Sequence, residues 1–241
     1  MNQNPIFLLI FLFLSILSCQ TKESTINIRS YYYPTEQLKE GLVYEYAAVN
    51  NANLPPEYWF FKSIETDTAL YLIGTYYDEF FIQRQSFRSE IVGNGVLLVN
   101  QVISSMDSLQ EHHSANVIYN NVFPFEVRDS GGIFLMQLKW IFNDNPPIST
   151  TLTRNRRYIG TRSFSVGGKP TEVVAFQLRE EVADENEGHW IREYDGLEYY
   201  AAGIGLVYYK KEIDDNFVLE YELRKRYTMD ILEEKFKQAQ Q

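Results

Sequence analysis

The sequence predicts an all-β fold of the antiparallel sandwich or barrel kind, followed by a C-terminal helix. From Gly41 onward the chain breaks into short β-favouring runs separated by turn residues, the pattern of antiparallel sandwiches and barrels. Aromatic residues are abundant, with 18 Tyr and 16 Phe, and these suit the half-buried, pleated surface of a sheet. Cys19 is the only cysteine, so no internal disulfide is available and the core alone must hold the fold.

Residues 42–49 form the first run, with Val43, Glu45 and Ala47 on one face and Leu42, Tyr44 and Tyr46 on the other. Asn50-Asn51-Ala52-Asn53-Leu54-Pro55-Pro56 ends it. Runs 58–65 and 69–77 pair across Thr66-Asp67-Thr68, and runs 80–92 and 96–104 flank Gly93-Asn94-Gly95, where glycine and asparagine tolerate the positive φ of a tight turn. Residues 105–115 are polar and read as a short helix or a loop. Residues 120–125 read as irregular chain leading to a strand at 133–142. Asn143-Asp144-Asn145-Pro146-Pro147 is the clearest break, taken as a long loop rather than a domain boundary. Beyond it, 157–166 and 171–182 flank Gly167-Gly168-Lys169-Pro170 as a long hairpin, and residues 184–188 make an acidic turn. Strands at 189–194, 205–213 and 217–227 follow. Residues 229–241 have helical composition, with Ile231, Leu232 and Phe236 as a partial apolar stripe. No repeat of solenoid or propeller period is present, so residues 41–241 read as a single β-rich domain.

The first residues bear on location. Residues 6–17 are apolar apart from Ser15, and this run is shorter than the ~20 residues a membrane-crossing helix needs. It fits the hydrophobic core of a signal peptide. Ile16-Leu17-Ser18-Cys19 resembles the lipobox of bacterial lipoproteins. That resemblance implies a signal peptide over residues 1–18, lipidation of Cys19, and a lipidated N-terminus and polar tether over residues 19–40. Two or three acyl chains attach a domain stably where one does not. Gln20-Thr21-Lys22-Glu23-Ser24 also resembles the charged tails of some surface lipoproteins of Bacteroidetes. The expected location is therefore the bacterial envelope, at the outer membrane, facing the periplasm or the surface.

A second resemblance lies near the C-terminus. Tyr199-Tyr200-Ala201-Ala202-Gly203-Ile204-Gly205-Leu206-Val207-Tyr208-Tyr209 is similar to a segment of TapB-like bacterial envelope proteins of unknown function, and Phe123-Pro124-Phe125 resembles their mid-chain segment. This implies a curved antiparallel sheet, closed or nearly closed as a barrel or half-barrel. On physical grounds Gly203 and Gly205 permit a bend or bulge where the strand begins. Neither the spacing nor a following helix fits a dinucleotide loop.

The formal net charge of −10 argues against nucleic acid as a partner. His112 and His113, with Glu111 and Asp107, offer donors for a metal, but solvated loop residues are the preferred reading and no zinc spacing is present. None of the serines sits in a nucleophile-elbow motif; Ser163 and Ser165 read as surface residues. Glu180 and Glu181 point to opposite faces of a strand, and Asp214-Asp215 falls in a turn. Arg154, Arg156, Arg157 and Arg162 would either grip an anion by forked hydrogen bonds or line a solvated strand edge, and the edge is preferred. Trp59, Trp140 and Trp190 would be glycan-stacking platforms or core rings, and core is preferred. No catalytic residue, metal or cofactor is assigned.

The leading functional expectation is a non-enzymatic cell-envelope lipoprotein, held at the membrane by its N-terminal lipid, that binds an apolar ligand or an envelope protein. The alternatives are a carbohydrate-binding surface lipoprotein and an extracytoplasmic hydrolase. Replacing Cys19 with Ala should abolish incorporation of a clickable fatty acid and release the protein from membranes while leaving its domain folded. Equal labelling and equal membrane retention in both forms would remove the lipobox reading.

Overall fold

The computed structural model describes residues 25–105, 111–128, 132–143 and 145–239. Its strands are β1 (Ile26–Asn27), β2 (Leu42–Ala48), β3 (Glu57–Glu65), β4 (Leu70–Tyr77), β5 (Gln83–Val92), β6 (Gly95–Ser104), β7 (His112–Pro124), β8 (Glu126–Val127), β9 (Ile133–Phe142), β10 (Ile148–Val166), β11 (Lys169–Glu185), β12 (His189–Ala201), β13 (Gly205–Asp214) and β14 (Phe217–Tyr227). A helix, α1 (Met229–Ala239), follows. Twelve strands close into an antiparallel barrel that runs in chain order from β2 to β7, then β9 to β14, with β14 returning to pair with β2. β1 and β8 form a separate two-stranded sheet. The sheet therefore closes completely, and the sandwich alternative does not apply.

Strand alternation sorts side chains into lumen and exterior. On β2, Leu42, Tyr44 and Tyr46 join the internal cluster, while Val43 packs outside against Leu232 of α1, as the sequence pattern predicts. Elsewhere the exterior carries exposed Arg88, Arg157, Gln177, Arg179, Glu193, Asp195 and Glu212. Charges of this density on lipid-facing positions would cost about 2–4 kcal/mol each at mid-bilayer, so this barrel wall faces water.

The structure differs from the sequence expectation in four segments. First, β10 begins at Ile148, directly after the expected loop at 143–147, and pairs with β9 from Phe142↔Ile148 to Ile133↔Arg157, where the sequence reading starts a strand only at residue 157. Second, the polar segment 105–115, expected as helix or loop, contributes residues 112–115 to β7; residues 106–110 lie outside the described residues. Third, 120–125 is not irregular entry chain: β7 runs through Pro124. Fourth, β10 and β12 are longer than expected, because their lumen faces carry Arg, Glu and Tyr rather than aliphatic residues.

The largest difference lies at the N-terminus. The expected polar tether extends to residue 40, yet residues 26–40 plug one end of the barrel. Ile28 and Leu38 are fully buried, and Tyr32 nearly so. Tyr32 packs against Phe123 and Phe125, with ring centroids 5.1 and 6.2 Å away, and Tyr33 lies 4.3 Å from Phe61. The plug's backbone is tied at Ile28 N to Phe125 O (2.8 Å) and at Ser30 O, which accepts from Gly203 N (2.9 Å). A solvated tether would not carry three consecutive tyrosines, and here Tyr32 is buried and Tyr31 and Tyr33 pack half-buried against the internal cluster.

The bend expected at Gly203 and Gly205 is present, with φ of +71° and +99°. A Cβ at Gly205 would lie 2.6 Å from Cδ1 of the plug residue Tyr33, whereas one at Gly203 would meet open space. Gly203→Ala should therefore cost only the backbone penalty of about 1–2 kcal/mol. Gly205→Ala adds the clash and should cost about 2–4 kcal/mol. Urea denaturation checks this: a lower midpoint at unchanged slope is expected for both, with Gly205→Ala clearly the worse.

Candidate functional site

The two ends of the lumen are built differently. Around the plug, Tyr44, Phe61, Phe123, Phe176 and Tyr200 are buried and interlock as tilted or edge-on pairs, for example Phe123 with Tyr200 at 4.9 Å. Tyr44 and Tyr46 reach past β14 to donate to the carbonyl oxygens of Ile204 (2.8 Å) and Leu206 (2.9 Å). Toward the opposite end the same inward rows continue with Trp59, Tyr76, Trp140, Tyr194, Tyr209 and Leu219, all only half-buried. The loop between β2 and β3 reaches into part of this half, where Leu54 packs on the internal cluster and Pro55 O accepts from the Tyr221 hydroxyl at 3.1 Å, and the remainder forms a cup.

The floor of the cup is ionic. On β11 the inward row runs Val174, Phe176, Leu178, Glu180, and the register places Glu180 opposite Arg154 on β10 and Tyr194 on β12. Glu180 accepts from Arg154 Nε and lies 2.5 Å from Lys211 Nζ. Deeper in, Arg156 forks onto Glu198, Nε to Oε2 at 2.9 Å and Nη2 to Oε1 at 3.1 Å, and the Tyr200 hydroxyl donates to the same carboxylate at 2.9 Å. Arg156 and Glu198 are both buried. Lys211 Nζ also sits 4.2 Å from the Tyr194 ring centroid, a cation–π geometry. A cavity of about 130 Å³ opens above this floor, walled by Leu178, Tyr194, Gly196, Tyr209 and Leu219 with Arg154, Glu180 and Lys211.

Electrostatics follow from this placement. Burial works to raise the Glu180 pKa, but Arg154 and Lys211 outweigh it and hold the carboxyl down to about 2. Burial likewise opposes ionisation of Glu198, and Arg156 overcomes it, lowering the pKa. Glu57 on the facing wall has no such cation. Burial raises its pKa, opposed by hydrogen bonds from Tyr209 and Trp59. At this end of the barrel the inward Trp190 is 72% exposed, while the exposed Ile141, one position from the inward Trp140, faces outside.

The arginine cluster is corrected by the structure. β10 is paired on both sides and is no edge, so alternation splits the group: Arg154 and Arg156 enter the lumen, while Arg157 and Arg162 stay exposed outside. Glu180 and Glu181 do face opposite ways, and Ser163 and Ser165 are exposed. All three tryptophans occupy inward positions, Trp59 and Trp140 half-buried and Trp190 at the rim. His112 and His113 lie on β7 rather than in a solvated loop. His112 Nδ1 shares a hydrogen bond with Ser104 Oγ at 2.8 Å, and His113 is buried edge-on to Phe142 at 4.9 Å. Asp107 and Cys19 lie outside the described residues, and among those described no acid–histidine group could hold a metal. Glu57, Glu198, Tyr209 and Lys211 were not singled out by sequence reasoning. The available signal was a charged residue in an inward aromatic row, as with Glu198 two residues before Tyr200.

No family model and no curated protein matches the chain. Solved structures similar to it include an exported protein with a YmcC-like fold from Bacteroides fragilis, so described, at 12% identity over 82% of this chain and 99% of that one, TM-score 0.48. A protein described as a lipoprotein from Parabacteroides distasonis is 11% identical over 82% of this chain and 98% of that one, TM-score 0.49. The hypothetical lipoprotein YmcC from Escherichia coli is 10% identical over 95% and 98%, TM-score 0.35. The barrel itself rests on the strand pairing described above.

Because Glu180 ionises more readily folded than unfolded, it contributes stability that is complete above its ordinary value of 4.5 and is lost as pH falls toward about 2. The size of that contribution is on the order of 3 kcal/mol. Glu180→Gln should flatten the acid limb of a stability–pH profile between those values. An unchanged limb would show that the carboxyl is not held low.

Proposed function

We propose that the protein is a non-enzymatic cell-envelope lipoprotein, anchored through Cys19, whose barrel binds an apolar or amphipathic ligand in the open cup. The observation that carries this reading is the contrast along one lumen: the plugged half buries Tyr32, Tyr44, Phe61, Phe123, Phe176 and Tyr200, while the other half leaves Trp59, Tyr76, Trp140, Tyr194 and Tyr209 partly exposed on its walls. A concave, mostly apolar site with a few placed polar groups is the usual form of a small-ligand pocket. Apolar surface left in water at about 25 cal/mol per Å² is a standing drive for a ligand to cover it. A glycan reading is favoured by one feature, the 72% exposed Trp190 at the rim, and a glycan array tests it directly.

The cup reading is tested with N-phenyl-1-naphthylamine, an uncharged dye that brightens in apolar sites, together with native mass spectrometry after gentle extraction. Saturable dye uptake near one per chain is expected. Leu219→Trp, which fills the cup wall, should weaken uptake by about ten-fold or more, the effect of losing roughly 1.4 kcal/mol of contact, at unchanged melting temperature. No uptake and no co-purifying ligand would overturn it.

A further inference from the structure

We infer that the cup floor is a seat for a carboxylate head group, so that the ligand is an anionic amphiphile such as a fatty acid, its chain directed toward the aromatic mouth. This rests on the cup reading above and adds the chemistry of the head.

The reasoning begins with charge at the floor. Arg154, Arg156 and Lys211 face two carboxylates, Glu180 and Glu198, which leaves one positive charge in excess inside a chain whose overall charge is −10. In the pair deepest in the lumen, Arg156 forks onto Glu198, which Tyr200 also contacts, and Arg156 Nη1 stays buried without an acceptor among the described residues. The excess therefore falls on the upper trio. There the carboxylate is the buried partner: the Glu180 side chain is 5% exposed, while Arg154 and Lys211 are 29% and 30% exposed. Both cations present their free faces to the cavity. Arg154 spends Nε on Glu180 and its terminal nitrogens have no acceptor among the described residues.

The other charged groups facing the cup do not cancel this excess. Glu57 takes hydrogen bonds from Tyr209 and Trp59, and burial there favours its neutral form. Asp184 at the mouth is paired with Arg192. Lys210 and Asp195 line the cavity only through their neighbours' alternation, since Lys210 turns outward to Glu212 and Asp195 is exposed.

The cavity of about 130 Å³ exceeds the space one water needs and admits a carboxylate with the first carbons of its chain. Leu178 and Leu219 on the walls suit those carbons. An exposed cation pair held rigid by a shared buried carboxylate is preorganised, so little ordering is needed when an anion arrives.

The experiment compares decanoate with decan-1-ol, which share a chain length and differ in charge, by calorimetry on the full chain in nanodiscs, with empty nanodiscs as the blank. Decanoate should bind at least about ten-fold more tightly, the value of one charge-assisted hydrogen bond. Lys211→Gln, which leaves Arg154 to neutralise Glu180, should bring the two ligands within about two-fold of each other, and Lys211→Arg should restore the preference. Equal binding of both ligands by the wild-type protein overturns the carboxylate seat and leaves the cup reading intact, and so does an undiminished preference in a folded Lys211→Gln variant. Failure of both ligands to bind overturns the two together. Should Lys211→Gln not fold, the wild-type comparison and Lys211→Arg still decide the matter.

Discussion

Filling a wide lumen is the constraint on which the rest of this structure depends. About eight strands give a barrel whose interior side chains alone can fill, and this sheet closes with twelve. The chain meets the excess width in three ways. It inserts its own residues 26–40 into one end, where Ile28, Tyr32 and Leu38 become core. It uses the longest aromatic side chains, so that Tyr44 and Tyr46 span to carbonyls beyond the neighbouring strand. At the middle it places ion pairs, whose long side chains occupy volume that no aliphatic residue could reach.

That third device carries an energetic risk. Burying Arg156 and Glu198 costs several kcal/mol of desolvation per ion before their attraction is counted. The fork and the Tyr200 hydroxyl offset much of it, while Arg156 Nη1 is left buried without an acceptor among the described residues. Glu180 achieves the same balance differently, with two cations that remain partly wet. The polar belt thus separates a dry, packed half of the lumen from an open one. The ligand-binding reading and the packed core are two outcomes of one problem in filling space.

How much of this was legible in the sequence follows from where each signal lies. Alternation of Leu42, Tyr44 and Tyr46 against Val43 and Glu45 gave the two faces of β2 correctly, and strong turn residues bound β9 at both ends and β14 at its start. β7 and the first half of β10 were missed because their Asn, Thr and Arg residues look like loop when read alone. They are strands because both neighbours supply hydrogen bonds. The arginines could not be sorted inward and outward without knowing that Glu180 and Glu198 stand across from them. The cup was illegible for a similar reason, since Glu57 and Tyr209 meet only when the sheet closes. The plug left a trace that could have been used: Tyr31-Tyr32-Tyr33 is poor material for a solvated spacer.

The order of strands has a consequence for synthesis. All but one of the barrel's pairings join strands that neighbour each other along the chain, ignoring the tiny β8, and such local hairpins can form while the polypeptide is still being made. The exception is the seam between β2 and β14. Until the last strand arrives, β2 has an unpaired edge, and the hydroxyls of Tyr44 and Tyr46 lack their acceptors at Ile204 and Leu206. The nascent chain is therefore an open, aromatic-faced sheet for nearly its whole length. Its exposure to aggregation ends in a single late event at the C-terminus.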